Sequence, residues 1–339
     1  MGELNSSDIK QVLSSGDYGG VNPLQALENI KRRCQEKKER RNSDLKTALI
    51  LQGGGMRGVF GAGVCCALEE LGYTEGFDEI YGVSAGALNG AYFLSGQAAY
   101  GTTIYYQDIN NRGFINFFRF RKIVDIDFLM NIIVKVKPLN FKKLLDSSTT
   151  LNIGLTCVST GKAVMFKNKQ RNVDILALLK ATAAMPFVYD IPVNIQGTWY
   201  LDGGISCPIP VREAIEAGCT DILVVLTRPK NYKPGSFEKI FDRLLIEPGI
   251  KKYGENFCRV YKNRYKLYEE RLRIVKGEQK HKNVNILAVF AAESIKVKRM
   301  TKRESVLKNT AIEGATKTLR LFGIPDPFPV EVLKFLSYR

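Results

Sequence analysis

Apolar residues in this chain fall into short runs that end at glycine turns, and the segments after those turns repeat apolar positions at helical spacing. The first run closes with Leu49, Ile50 and Leu51, and meets Gln52-Gly53-Gly54-Gly55-Met56-Arg57-Gly58. Residues 59–71 then predict a helix with Cys65, Cys66, Leu68 and Leu71 on or near one face. A second run, residues 80–83, enters Gly82-Val83-Ser84-Ala85-Gly86, and residues 87–94 continue as a helix of small residues. Further strands are expected over residues 150–159, 163–167, 193–201, 221–227 and 284–290. Helices are expected over 173–184, 211–217 and 305–322, with a long one after Gly249. Uninterrupted apolar strands such as 221–227 suit a sheet covered on both faces, so the fold class is α/β with a mainly parallel sheet.

The remaining segments read less regularly. Residues 1–21 are rich in Ser, Gly and Asp and are expected to be mobile, and 23–41 predict a helix with Leu24, Leu27 and Ile30 on one side and a basic tail from Lys31-Arg32-Arg33 to Arg40-Arg41. This basic N-terminal appendage, 1–44, is expected either to pack loosely or to meet anionic lipid. Met1-Gly2-Glu3-Leu4-Asn5-Ser6 also fits the short pattern for N-myristoylation. Residues 96–112 predict a polar, aromatic helix with Tyr100, Tyr105 and Tyr106. Residues 114–138 interleave Phe117, Phe118, Phe120, Phe128 and Leu129 with Arg119, Arg121 and Lys122. That stretch reads equally as two amphipathic helices over a sheet edge and as a lid or interfacial face. Tyr253, Phe257, Tyr261, Tyr265 and Tyr268 recur at helical spacing, which more often marks a core face than a ligand box.

Composition narrows the classes. The 339 residues, 45% hydrophobic, suffice for one large domain. No apolar run reaches the roughly 20 residues that span a bilayer, and the polar N-terminus lacks a signal-peptide pattern, so a cytoplasmic protein is expected, peripheral at a membrane at most. Seven cysteines without Cys-x-x-Cys spacing point to free thiols rather than a zinc site or disulfide frame. A formal charge of +16 asks for an anionic partner, which charge alone does not choose among lipid, nucleic acid and acidic protein.

The chemistry concentrates at the two turns. Gly82-x-Ser84-x-Gly86 between strand and helix suits a nucleophile elbow, whose strained serine needs small neighbours on both sides. Consecutive glycines before a helix let several N–H groups converge on one anion, which is the geometry of an oxyanion or phosphate cradle. Gly53-x-Gly55-x-x-Gly58 also satisfies the dinucleotide fingerprint, yet that fold wants an acid at the end of the second strand, where this chain has Gly-Val-Ser-Ala-Gly. The only histidine, His281, precedes the last strand, at the wrong end for a site built from strand C-termini. Asp202, followed by Gly203-Gly204, is the better base, and a Ser84/Asp202 dyad for acyl transfer is the reading that accounts for both turns.

At these residues the chain resembles the patatin-like phospholipase family, bacterial branch with a C-terminal extension. It has Gly-Gly-Gly-Met-Arg-Gly at 53–58, Gly-Val-Ser-Ala-Gly at 82–86 and Asp-Gly-Gly at 202–204. The resemblance covers about 46–228 and implies a three-layer α/β/α fold, a catalytic domain at 45–228 and an extension at 229–339 packing on the same domain. It implies lipid acyl hydrolysis by Ser84 and Asp202, oxyanion donors at Gly53, Gly54, Gly55 and Met56, and Arg57 near an anionic head group. Gly58, Gly82, Gly86, Gly203 and Gly204 complete its motifs. No metal or organic cofactor follows from it.

The expected function is a lipolytic serine hydrolase acting on phospholipid or other acyl-ester lipid at an anionic membrane surface. The alternative is a catalytically silent scaffold or lipid-surface binder of the same fold. Nucleic acid, supported by charge alone, is not an expected partner.

Overall fold

The structure, a computed structural model, describes residues 6–40, 42–119, 121–232, 247–279 and 281–324. Residues 1–5 of the N-myristoylation pattern, Phe120, part of the connection after Pro229, and residues 325–339 lie outside them.

Among the described residues, nine strands form a single sheet: β1 (Tyr18–Val21), β2 (Thr47–Leu51), β3 (Glu79–Gly82), β4 (Thr150–Cys157), β5 (Ala163–Lys167), β6 (Val193–Ile195), β7 (Thr198–Asp202), β8 (Asp221–Leu226) and β9 (Asn285–Phe290). They run in the order β1-β9-β8-β2-β3-β4-β7-β6, with β5 beside β4. The centre, β9-β8-β2-β3-β4, is parallel and the edges are antiparallel. Every residue of β2 and β8 is buried because helices cover both faces. Alternation along each strand separates two cores. Leu49, Leu51, Ile80, Leu223 and Val225 join one cluster with the helices Val59–Glu70, Ala85–Leu94 and Glu304–Leu321; Ala48, Ile50, Ile222, Val224 and Leu226 join a second with Val211–Glu216 and Glu255–Val275. Three layers, α/β/α, result.

The N-terminal segment departs from the sequence reading. Residues expected to be mobile form the helix Ser6–Ser14 and the edge strand β1, which pairs antiparallel with β9, and the Tyr18 hydroxyl donates to the Lys317 carbonyl at 2.8 Å. The helix Pro23–Lys38 buries Ala26, Leu27, Ile30 and Cys34 rather than packing loosely. Part of its basic run is neutralised within the fold: Arg33 makes a forked contact with Asp78, 2.7 Å at its shortest, and Lys37 donates to the Phe77 carbonyl at 2.6 Å.

The two helices expected over 114–138 are also replaced. One short helix, Ile126–Asn131, runs on into a wider turn, Ile132–Val136, and residues before it form an irregular loop closed by an Ile115–Val124 bridge. The cause is local: Arg119 donates to the Gly113 and Arg112 carbonyls and pairs with Asp125, while Asp125 caps the helix by accepting from Phe128 N–H. Charges that a helix would present to solvent hold backbone groups instead.

Candidate active site

The pairing of β4 brings the site together. Its residues 152–156 pair with β5 on one edge, so β3, opposite 150–153, and β7, opposite 155–157, must share the other. β3 ends with Gly82 across from Ile153, and β7 arrives with Asp202 across from Leu155. The chain leaving β3 and the carboxylate arriving on β7 are therefore two positions apart along β4, roughly 7 Å at strand rise. Between those positions lies Gly154, whose carbonyl accepts the Thr182 hydroxyl at 2.7 Å, while Thr182 Oγ1 accepts the Ser84 N–H at 2.9 Å.

Ser84 occupies φ 54, ψ −132, a region that non-glycine residues rarely adopt, directly before the helix Ala85–Leu94. The turn closes so tightly that a Cβ on Gly86 would lie 2.1 Å from the Leu51 carbonyl oxygen, and one on Gly82 2.6 Å from Ala87 Cα. This is the strained strand-to-helix turn that the motif leads one to expect. Ser84 and Asp202 line the same cavity, and the Asp202 carboxylate accepts the Gly204 N–H at 2.7 Å. Asp202 is completely enclosed, and burial pushes its pKa up to about 6 against the opposing pull of Gly204 N–H, the Ser84 hydroxyl and the Arg299 charge.

The glycine turn abuts this pair. A Cβ on Gly53 would lie 2.8 Å from Ser84 Cβ, and Gly55 holds φ +57. Among the described residues, the N–H groups of Gly53, Gly54 and Gly55 donate to no backbone carbonyl. Met56 differs from the expectation: its N–H donates to the Arg299 carbonyl at 3.0 Å, so it is already engaged and does not complete the oxyanion cradle in this state. Arg57 is half-buried, with its Nε enclosed and unpartnered. Burial, then the charges of Arg228 and Arg299, pull its pKa down to about 9, which still leaves a guanidinium cation at neutral pH.

Gly53, Gly54, Gly55, Met56, Arg57, Ser84, Asp202 and Gly204 line one cavity of about 250 Å³; Gly58, Gly82, Gly86 and Gly203 do not line it and act as close-packing positions around it. Part of its lining is apolar, from Leu88, Ile104, Ile109, Phe114, Leu129 and Ile133, and part is cationic and aromatic, from Arg57, Arg228, Arg264, Arg299, Tyr265 and Tyr268. The tyrosine stripe of the helix Glu255–Val275 is thus divided: Phe257 belongs to the core, whereas Tyr261, Tyr265 and Tyr268 face the cavity. Arg264 and Arg299 carry no motif, and only the folded chain places them here, beside Arg228. His281 does not line the cavity; it lies before β9 at the opposite end of the strands and is half-buried rather than solvated, with Nε2 enclosed.

The sequence model of the patatin-like phospholipase family matches residues 49–215. A curated relative, the uncharacterized protein YjjU of Escherichia coli strain K12, is 31% identical over 205 residues, which are 58% of this chain and 56% of the relative. The chain thus spans about half the length of the curated relative it matches. Similar solved structures include VipD from Legionella pneumophila, at TM-score 0.40 and 13% identity over 87% of this chain and 80% of that one. ExoU of Pseudomonas aeruginosa, solved with SpcU, scores 0.31 at 16% identity over 68% and 53%. A human group IVD cytosolic phospholipase A2 scores 0.40 at 10% identity over 99% and 65%.

Proposed function

Residues 49–215 belong to the patatin-like phospholipase family, and from that premise we propose that this chain is a lipolytic serine hydrolase cleaving acyl esters of phospholipids through Ser84 and Asp202. The observation that carries the reading is a strained Ser84 and a buried Asp202 lining one cavity together with apolar side chains and arginines. A fatty acyl chain suits the apolar side chains and an anionic glycerol phosphate the arginines.

The chemistry follows from the groups present. Ser84 Oγ attacks the acyl carbon while its proton passes to the Asp202 carboxylate, which is ionised at neutral pH yet basic enough, near 6, to accept it. Charge that develops on the acyl oxygen is met by the unengaged N–H groups of Gly54 and Gly55 and by the N-terminal end of the helix Ala85–Leu94. Collapse of the tetrahedral adduct breaks the ester C–O bond, and Asp202 returns its proton to the leaving alkoxide, releasing lysolipid. Water then attacks the acyl-serine, Asp202 takes its proton, and fatty acid leaves as Ser84 is restored.

Access to lipid is supported by the loop at 116–119, where Phe118 is 97% and Phe117 63% exposed, next to the cavity-lining Phe114. Two bare aromatic rings on a chain of net charge +16 suit a peripheral contact with an anionic bilayer. No helix among the described residues is long and apolar enough to cross a membrane.

Mass spectrometry of a total lipid extract incubated with the wild-type chain or with Ser84→Ala tests the reading. Free fatty acid and lysolipid should accumulate only with the wild type. Equal accumulation, or none with either protein, would refute it, the latter in favour of the silent-scaffold alternative.

A further inference from the structure

Arg57, Arg228, Arg264 and Arg299 line the cavity, where Asp202 is the single carboxylate among the described lining residues. Asp202 already accepts the Gly204 N–H. Among the described residues Arg57, Arg228 and Arg299 form no ion pair, although Arg228 is buried and Arg57 keeps an enclosed Nε with nothing to donate to. Enclosing cationic groups without a counter-ion is costly, so Arg57 and Arg228, with the exposed Arg299, are placed for an anion that arrives from outside. Planar guanidinium forks match phosphate oxygens best.

The aromatic residues beside these arginines decide what kind of phosphate. Tyrosine faces can cage a quaternary ammonium, which would suit a choline head group. Here those faces are taken. Arg228 lies 4.2 Å from the Tyr232 ring centre and 4.6 Å from that of Tyr268, and Arg264 lies 3.9 Å from Tyr261 and 4.4 Å from Tyr265. A choline approaching these rings would meet the repulsion of the guanidinium cations stacked on them. Arg264 and Arg299 come from segments well after the residues that the family model matches.

Resting on the lipolytic reading, we infer that the cavity's cationic lining is a subsite for a phosphomonoester head group, so that phosphatidate and lysophosphatidate are preferred over their choline counterparts. A phosphomonoester presents up to two charges and three terminal oxygens to the cluster, and carries no cation into it. The acyl carbon then lies at Ser84.

Binding separates this inference from the turnover on which it rests. The full chain carrying Ser84→Ala is titrated calorimetrically at fixed salt, below micelle formation, with lysophosphatidate, lysophosphatidylcholine of the same chain, and glycerol 3-phosphate. Lysophosphatidate should bind at least about tenfold more tightly than either of the others. Arg228→Gln and, because Arg228 is buried, the exposed Arg299→Gln should each bring the two lysolipids within about threefold. Equal affinities in the Ser84→Ala chain overturn the inference, and so does a preference that survives Arg299→Gln in a folded protein. Glycerol 3-phosphate binding as tightly as lysophosphatidate overturns the assignment to a lipid. Anionic preference in binding with no hydrolysis by the wild type sinks the lipolytic reading and leaves the subsite standing; hydrolysis of phosphatidate and phosphatidylcholine at equal kcat/KM does the reverse.

Discussion

The Met56 N–H donates to the Arg299 carbonyl at 3.0 Å, tying the glycine turn after β2 to a loop almost at the other end of the chain. Gly55 sits beside that bond, and a Cβ there would lie 2.8 Å from the same carbonyl oxygen while φ stays at +57. Gly55→Ala should therefore cost about 1–2 kcal/mol in backbone conformation alone and move the turn. Hydrolysis of a soluble ester is expected to fall at least tenfold with the protein still folded, measured as kcat beside a thermal melt. Undiminished kcat would show that this turn does not hold the transition state.

The raised Asp202 carboxyl predicts a pH profile. As a base it must be ionised, so kcat/KM in the free enzyme should fall on the acid side with an apparent pKa near 6 rather than near the ordinary 3.8. A profile flat down to pH 4 would contradict the assignment.

The same group predicts an effect on stability. With a folded pKa above the unfolded one, Asp202 holds its proton more firmly in the native state, so its contribution to stability is present below about pH 4 and is lost as pH rises to 6. At pH 7 the ionised, enclosed carboxylate costs on the order of 3 kcal/mol. Asp202→Asn should thus raise the melting temperature at pH 7 while abolishing turnover, and the gain should vanish near pH 4. Destabilisation at both pH values would contradict this.

Phe117 and Phe118 stand free of the core. Replacing both by Ala should weaken binding to anionic vesicles about tenfold in a sedimentation assay, since each exposed ring contributes on the order of 1 kcal/mol or more when buried in an interface. Cleavage of a water-soluble ester should be unchanged. Unaltered vesicle binding would remove this loop from the membrane contact.

His281 does not reach the cavity. His281→Gln should leave ester hydrolysis within about twofold of wild type in an initial-rate assay, and a hundredfold loss would restore a Ser/His/Asp triad.

How much of this was legible beforehand depends on whether the cause is local. The elbow at Ser84 and the turn at 53–58 are written in contiguous glycines, because a tight turn admits no side chain, and β2 and β8 are plain in unbroken apolar runs. The approach of Asp202 to Ser84 depends on β4 sharing one edge between β3 and β7, which no spacing encodes. Tyr18 reads as part of a polar tail, yet it becomes edge strand by pairing with β9, more than two hundred residues on. Arg264 and Arg299 look like any surface charges until the fold brings their segments to the same cavity. The loop at 114–125 misleads through its period: its arginines bond backbone carbonyls, a use of charge that amphipathic spacing does not register.

The most direct test of the account is covalent labelling by a fluorophosphonate, with the modified residue located by mass spectrometry. The wild type should carry a single adduct on Ser84, the adduct should be absent from Ser84→Ala, and Asp202→Asn should label at least a hundredfold more slowly. An adduct on another residue, or labelling of Ser84 at the same rate without the Asp202 carboxylate, would contradict it.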